Sequence, residues 1–210
     1  MYYKNRSLVY NETMPKIVDH EKQRIIVADA AIRVIRDNGL DHATVRNIAK
    51  EAGLSVGSMR HYFATQAELF AFCMNLFAER VQQRVEALQM TDSVLQNMKH
   101  LLFSFLPLDE ERKIEMEVWF SFSAKVLVYP ELQKLSDQMH QGMYRSAQLV
   151  IQELQKQGMT CTGMDTEIET EKLYALIDGL AIHMLMQPER LTVKKVENVI
   201  EQHLSMLCHA

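Results

Sequence analysis

The side chains best suited to chemistry gather in residues 44–63, TVRNIAKEAGLSVGSMRHYF. They are hydrogen-bond donors and small residues, with no nucleophile beside a base. A DNA major groove accepts an α-helix whose early residues face base edges. In the second half of this stretch, Val56 can touch a thymine methyl, Ser58 can donate or accept, and Gly57 lets the backbone come close. Arg60 can take a guanine edge or a phosphate, while His61 and Tyr62 reach phosphates. In the first half, Thr44 and Arg46 flank Val45 at a helix start and suit backbone contact, with Arg46 within reach of a base.

Two short helices across a tight turn are needed to position these groups. Thr44 is the expected N-cap of the first, with Asn47 three residues on, and Ser55 that of the second. Gly53 permits the turn between them. Ile48, Ala52, Leu54, Met59 and Tyr62 can all pack inward, and Ala49 is small where the helices must cross. Satisfying all of these constraints favours a helix-turn-helix over an ordinary helical hairpin.

The rest of the chain reads as helices. A first spans residues 19–38, capped by Asp19 and ended by Asn38-Gly39, with Ile25, Ile26, Ala28, Ala30, Ile32, Val34 and Ile35 as its apolar face and Leu40 packing back. A bridging helix opens at Thr65 and covers 66–88. Others cover 91–105, a segment from Asp109, 131–157 after Tyr129-Pro130, 167–186 and 192–207, and 158–166 is the clearest loop. The segment 173–186 is apolar nearly all round, apart from Asp178 and His183, and such a helix is buried on all sides. A second copy of the chain would supply that cover. Leu176, Gly179, Leu180, His183, Val196, Val199, Ile200 and His203 are the candidate dimer contacts in a two-fold four-helix interface. Phe103, Met116, Trp119, Phe120, Met139, Met143, Tyr144 and Tyr174 are candidates to line a ligand cavity in a methionine-rich body.

Composition agrees with an all-α fold: only 7 Gly and 4 Pro stand beside 14 Met, with 48% hydrophobic residues. The net charge of −4 hides an asymmetry. Residues 1–65 carry 10 Lys and Arg against 7 Asp and Glu, a balance of +3, and the remainder carries 13 against 20, a balance of −7. A basic head on an acidic body is expected. The organisation is a flexible arm at 1–17, a DNA-binding head at 18–65, and a ligand-binding and dimerisation body at 66–210. No apolar run reaches membrane-spanning length, and no secretory signal opens the chain. Cys73, Cys161 and Cys208 form neither a disulfide framework nor a zinc spacing, so a reducing cytoplasm is expected. No catalytic set, metal spacing or phosphate loop stands out, so neither an enzyme nor a cofactor or metal is expected.

The residues Gly39, Thr44-Val45-Arg46, Ile48-Ala49, Ala52-Gly53, Ser55, Gly57, Tyr62-Phe63 and Glu68-Leu69 resemble the TetR family of transcriptional regulators. GSMRHYF followed by QAEL resembles its BetI-like, choline-responsive branch. Weaker similarity runs through EVWFSFSAKVLVYPEL and ALIDGLAIHMLMQPERLT. A regulator of a polyketide biosynthesis cluster also fits this resemblance. It implies a three-helix helix-turn-helix head, a six-helix body and a homodimer through the last two helices. It further implies a repressor released from a palindromic double-stranded DNA operator by a small-molecule effector. An activator, or a helical interaction protein that has lost DNA binding, is the alternative. Many members carry an aromatic residue where Arg60 stands and a phosphate-binding lysine where Gln66 stands. Gln66 offers that phosphate a hydrogen bond without charge, and Arg60 restores charge nearby. By analogy with the branch, Trp119 and a tyrosine on one wall would hold a quaternary amine.

Overall fold

A computed structural model describes residues 20–39 and 42–209. The arm, the Asp19 cap and the packing of Leu40 lie outside the described residues. Among them the chain forms nine α-helices: α1 (His20–Asn38), α2 (Val45–Glu51), α3 (Val56–Tyr62), α4 (Gln66–Glu86), α5 (Val94–Phe103), α6 (Glu110–Val126), α7 (Gln133–Lys156), α8 (Thr166–Met186) and α9 (Val193–His209). A 3-10 turn at Pro130–Leu132 precedes α7. The fold is all-α, as the composition and apolar spacing require.

Local capping chemistry sets the short elements. Thr44 accepts from the Asn47 N–H at 3.2 Å, Ser55 from the Ser58 N–H at 3.0 Å, and Thr65 from the Glu68 N–H at 3.1 Å. Each hydroxyl satisfies an orphan donor of a first turn. Glu68 reaches back to the Ala64 N–H at 2.8 Å, giving α4 a reciprocal cap. Between α2 and α3 the chain turns through Gly53 at φ +69°, with the Leu54 N–H bonded to the Ala49 carbonyl at 2.8 Å.

The core forms two clusters that do not divide at residue 65. The first joins α1, α2 and Met59 to Leu69–Phe77 of α4, to Val118, Phe122 and Val126 of α6, and to Leu132. The second joins α5 to the latter half of α7, α8 and α9. Arg24 fastens the end of α3 to the first cluster. Its guanidinium lies 4.7 Å and 4.6 Å from the ring centroids of Phe63 and Phe72, and it donates to the Tyr62 carbonyl at 3.1 Å.

Three details differ from the expectation. Ile25 and Ile26 are exposed on α1, and Val27 takes the buried position. Helix α5 starts at Val94, three residues later than expected. Ser93 caps it, and Asn97 turns back to bond both the N–H and the carbonyl of Thr91, holding that residue in a loop. Helix α8 is not covered on all sides within the chain: Leu173, Ile177, Leu180 and Met184 face inward, while Ile182, His183 and Met186 face out.

Gly53 has open space where a Cβ would sit, so a substitution there meets backbone strain alone. Gly53→Ala is expected to cost about 1–2 kcal/mol, read as a lower urea midpoint at unchanged slope. An unaltered midpoint would contradict a left-handed requirement.

Candidate functional site

The helix-turn-helix leaves most of the candidate DNA contacts open to solvent. Arg46 on α2 and Val56, Gly57, Arg60 and His61 on α3 are exposed, as are the caps Thr44 and Ser55. Val56 keeps 40% of its surface open, unusual for a β-branched apolar residue on so short a helix. Ser58 is half-buried and its hydroxyl lies 2.9 Å from that of Ser55, so these two serines stiffen the start of α3. Val45 and Tyr62 are half-buried and pack on the first core cluster, with the Tyr62 ring 5.3 Å from that of His20. Gln66 donates its side-chain amide to the Ala43 carbonyl at 2.6 Å. That bond ties the loop before α2 to the first turn of α4, so part of its donor capacity is used inside the head.

The body contains a cavity of about 530 Å³ between α4, α6, α7 and the turn after α5. Met116, Trp119, Met139 and Met143 line it. Phe103, Phe120, Tyr144 and Tyr174 do not. Phe103 packs on the second core cluster, and its carbonyl accepts from Arg112 at 3.0 Å. Tyr144 and Tyr174 meet edge to face at 6.1 Å, on the side of α7 that faces α8. Tyr174 shares its hydroxyl with His140 Nδ1 and the Asp178 carboxylate. Burial, and then the Asp178 and Glu171 charges, push this phenol up, and burial also raises the Asp178 carboxyl. His140 lies 5.3 Å from Trp119, so the cluster backs the cavity wall without entering it.

The sequence reading missed the polar end of the cavity. Arg84 donates Nη2 to Glu115 at 2.7 Å and Nη1 at 3.3 Å, and Arg80 approaches the same carboxylate at 3.6 Å. A signal was available. Glu115 stands on the stripe of Val118, Phe122 and Val126, and Arg84 one turn after Arg80 and two after Phe77. Charged residues on core stripes mark buried ion pairs.

Of the candidate dimer contacts, His183 is exposed and Leu176, Gly179, Val199 and His203 are half-buried. Leu180, Val196 and Ile200 turn into the chain's own second cluster, because the inner faces of α8 and α9 close on α5 and α7. The open apolar residues on these helices are instead Ile168, Ile182, Met186, Val193 and Met206. His203 has a buried Nε2 without a hydrogen-bond partner among the described residues, and burial lowers its pKa. Cys73 is buried at the α4–α1 contact, where its thiol lies 3.9 Å from the Ala28 carbonyl. Burial pushes that thiol up to about 12. Among the described residues, no cluster of His, Cys, Asp or Glu is arranged to hold a metal, and no helix is long and apolar enough to cross a membrane.

Two capped helices at a glycine turn, with exposed donors and a core shared with the helices that follow, define a helix-turn-helix DNA-binding protein. Comparison with known proteins gives the family. Residues 27–72 match the pattern of "Bacterial regulatory proteins, tetR family", and residues 95–209 that of "BetI-type transcriptional repressor, C-terminal". The chain is 41% identical over 197 residues to the HTH-type transcriptional regulator PksA of Bacillus subtilis, covering 93% of this chain and 94% of that one. It is 24% identical over 194 residues to the HTH-type transcriptional regulator BetI of Agrobacterium fabrum, covering 92% and 91%. The chain belongs to the TetR family, and it is a DNA-binding transcriptional regulator. In fold it is similar to a transcriptional regulator from Rhodococcus sp. Rha1, at a TM-score of 0.77 and 24% identity over 89% of this chain and 96% of that one. It is likewise similar to a regulator from Saccharomonospora viridis solved in complex with choline, at a TM-score of 0.72 and 21% identity over 89% and 95%.

Two predictions follow from burial. A thiol reagent should modify at most Cys161 and Cys208 in the native chain and reach Cys73 only on unfolding; rapid reaction of all three would contradict the packing of α4 on α1. The second concerns His203, whose folded pKa lies below the unfolded value of 6.5. The unfolded chain then binds the extra proton first, so stability falls as pH drops through about 6.5 toward the folded pKa. His203→Gln should flatten part of that fall in melting temperature; an unchanged pH profile would contradict a buried neutral imidazole.

Proposed function

We propose that the chain is a homodimeric repressor, released from a palindromic double-stranded DNA operator by a small-molecule effector. Residues 18–65 act as the DNA-binding head and 66–210 as the ligand-binding and dimerisation body, in the cytoplasm. One observation carries the reading: α4 and α6 each line the 530 Å³ cavity and also enter the core cluster that holds the helix-turn-helix. An occupant that displaces either helix bears on the position of α3. If a wider dimer binds that occupant better, operator affinity falls by the ratio of the two affinities.

Arg46, Val56, Ser58, Arg60 and His61 form the DNA-reading edge, with Thr44 and Gly57 against the backbone. Val45, Ser55, Tyr62 and Gln66 hold that edge in place. Dimerisation runs through the outer faces of α8 and α9. Met186, 70% exposed, and Met206, 63% exposed, are the residues most in need of cover. Two recognition helices one DNA turn apart, roughly 34–36 Å, then meet two half-sites.

Selection of bound sequences from a random DNA pool should return a symmetric site. On that site, Arg46→Ala and His61→Ala are each expected to weaken binding about tenfold or more in a gel shift, with unchanged melting temperature. Near-wild-type affinity in both variants would remove the assignment of this edge.

A further inference from the structure

At one end of the cavity Arg84 keeps hydrogen-bond donors beyond the two it gives to Glu115. Arg84 and Arg80 converge on the single carboxylate of Glu115, whose side chain is 7% exposed. Both Glu115 oxygens already accept from Arg84. A guanidinium has five N–H donors. Two of Arg84's go to Glu115, and its Nε is buried without a hydrogen-bond partner among the described residues. The side chain of Arg84 is 27% exposed and lines the cavity. Arg80's other carboxylate neighbours are the half-buried Asp29 at 3.6 Å and the exposed Glu111 at 3.7 Å, and at those distances each neutralises it weakly.

The remaining charged lining groups do not offset this. Arg112 is held by Asp109 at 2.7 Å and by the Phe103 carbonyl. Glu86 is exposed at the rim, where it accepts from Gln82 at 2.8 Å. The walls beyond are apolar: Phe77, Val81, Met116, Trp119, Met139 and Met143. Three aromatic rings, Phe77, Phe105 and Trp119, line the cavity, and Phe77 already lies 5.8 Å from the Arg80 guanidinium, while Tyr144 and Tyr174 sit behind α7. A quaternary ammonium would compete with two arginines for the one buried carboxylate here.

We infer that the cavity takes an amphipathic acid: an elongated apolar body among the methionines, and a carboxylate that accepts hydrogen bonds from Arg84. This rests on the reading of the cavity as the effector site. A carboxylate matches the guanidinium fork in charge and geometry, and charge-assisted bonds of this kind strengthen where water is excluded. The sulfur-rich walls accept an irregular chain without a fixed shape.

Trp119 is the single tryptophan of the chain and reports occupancy directly. The test titrates the full-length protein, by tryptophan fluorescence, with three probes of one chain length: dodecanoate, dodecanol and dodecyltrimethylammonium, each below its micellar concentration. Dodecanoate should give a saturable change, and the ammonium should bind about tenfold more weakly or worse. Arg84→Met should weaken dodecanoate about tenfold and dodecanol by less. Because Arg84→Met strips a partner from buried Glu115, Arg84→Lys serves as a second variant: it keeps the charge, loses the fork, and should fall between. The inference is overturned if the ammonium binds as tightly as dodecanoate, if dodecanoate gives no saturable change, or if its affinity ignores both variants. A gel shift with saturating dodecanoate separates the two readings. Unchanged operator affinity would contradict the effector role and leave the ligand class standing.

Discussion

The helix-turn-helix shares its hydrophobic core with the helices that follow it. Ile48, Ala49 and Met59 close on α1, and α1 in turn closes on Phe70, Cys73 and Phe77 of α4 and on Phe122 and Val126 of α6. Three helices of this size bury too little apolar surface to hold together unaided, and the body's helices supply the rest. The head is therefore fixed to the body, and its orientation follows from how α4 and α6 pack. The same two helices form walls of the body's cavity, so binding there and reading of DNA draw on one set of contacts.

A chain of charges runs along this seam. Asp29 of α1, Arg80 and Arg84 of α4 and Glu115 of α6 link the head to the polar end of the cavity. Asp29 and Arg80 are half-buried and approach each other only at 3.6 Å, so that pair contributes little to stability. Glu115 is different, since a buried carboxylate deprived of its arginines is strongly unfavourable.

The head was legible in the sequence because its determinants are local. Thr44, Gly53, Ser55 and Thr65 act within one or two turns of themselves, so spacing suffices to place them. Helix number and order followed from the same punctuation. Which face of a body helix meets which neighbour was not legible. Met143 and Tyr144 are adjacent in sequence but about 100° apart around α7, so one enters the cavity and the other packs toward α8. On α8 and α9, apolar residues surround much of each helix. Nothing in their spacing distinguishes Leu180 and Ile200, which face the chain's own core, from Ile182 and Met206, which face out. The Arg84–Glu115 pair was hidden for the opposite reason: each charge is ordinary on its own helix and acquires meaning only when the two helices meet.

A core shared by the helix-turn-helix, α4 and α6 makes these elements open together. Native-state hydrogen exchange on Val126→Ala measures this directly. Val126 is buried at the far end of α6, among residues that contact α1 and α4. If the core is shared, the substitution lowers the opening free energy of amides in α1 and α2 by the same amount as those in α4 and α6. Loss of protection confined to α6, with α1 and α2 unchanged, would show an independent head and contradict the account.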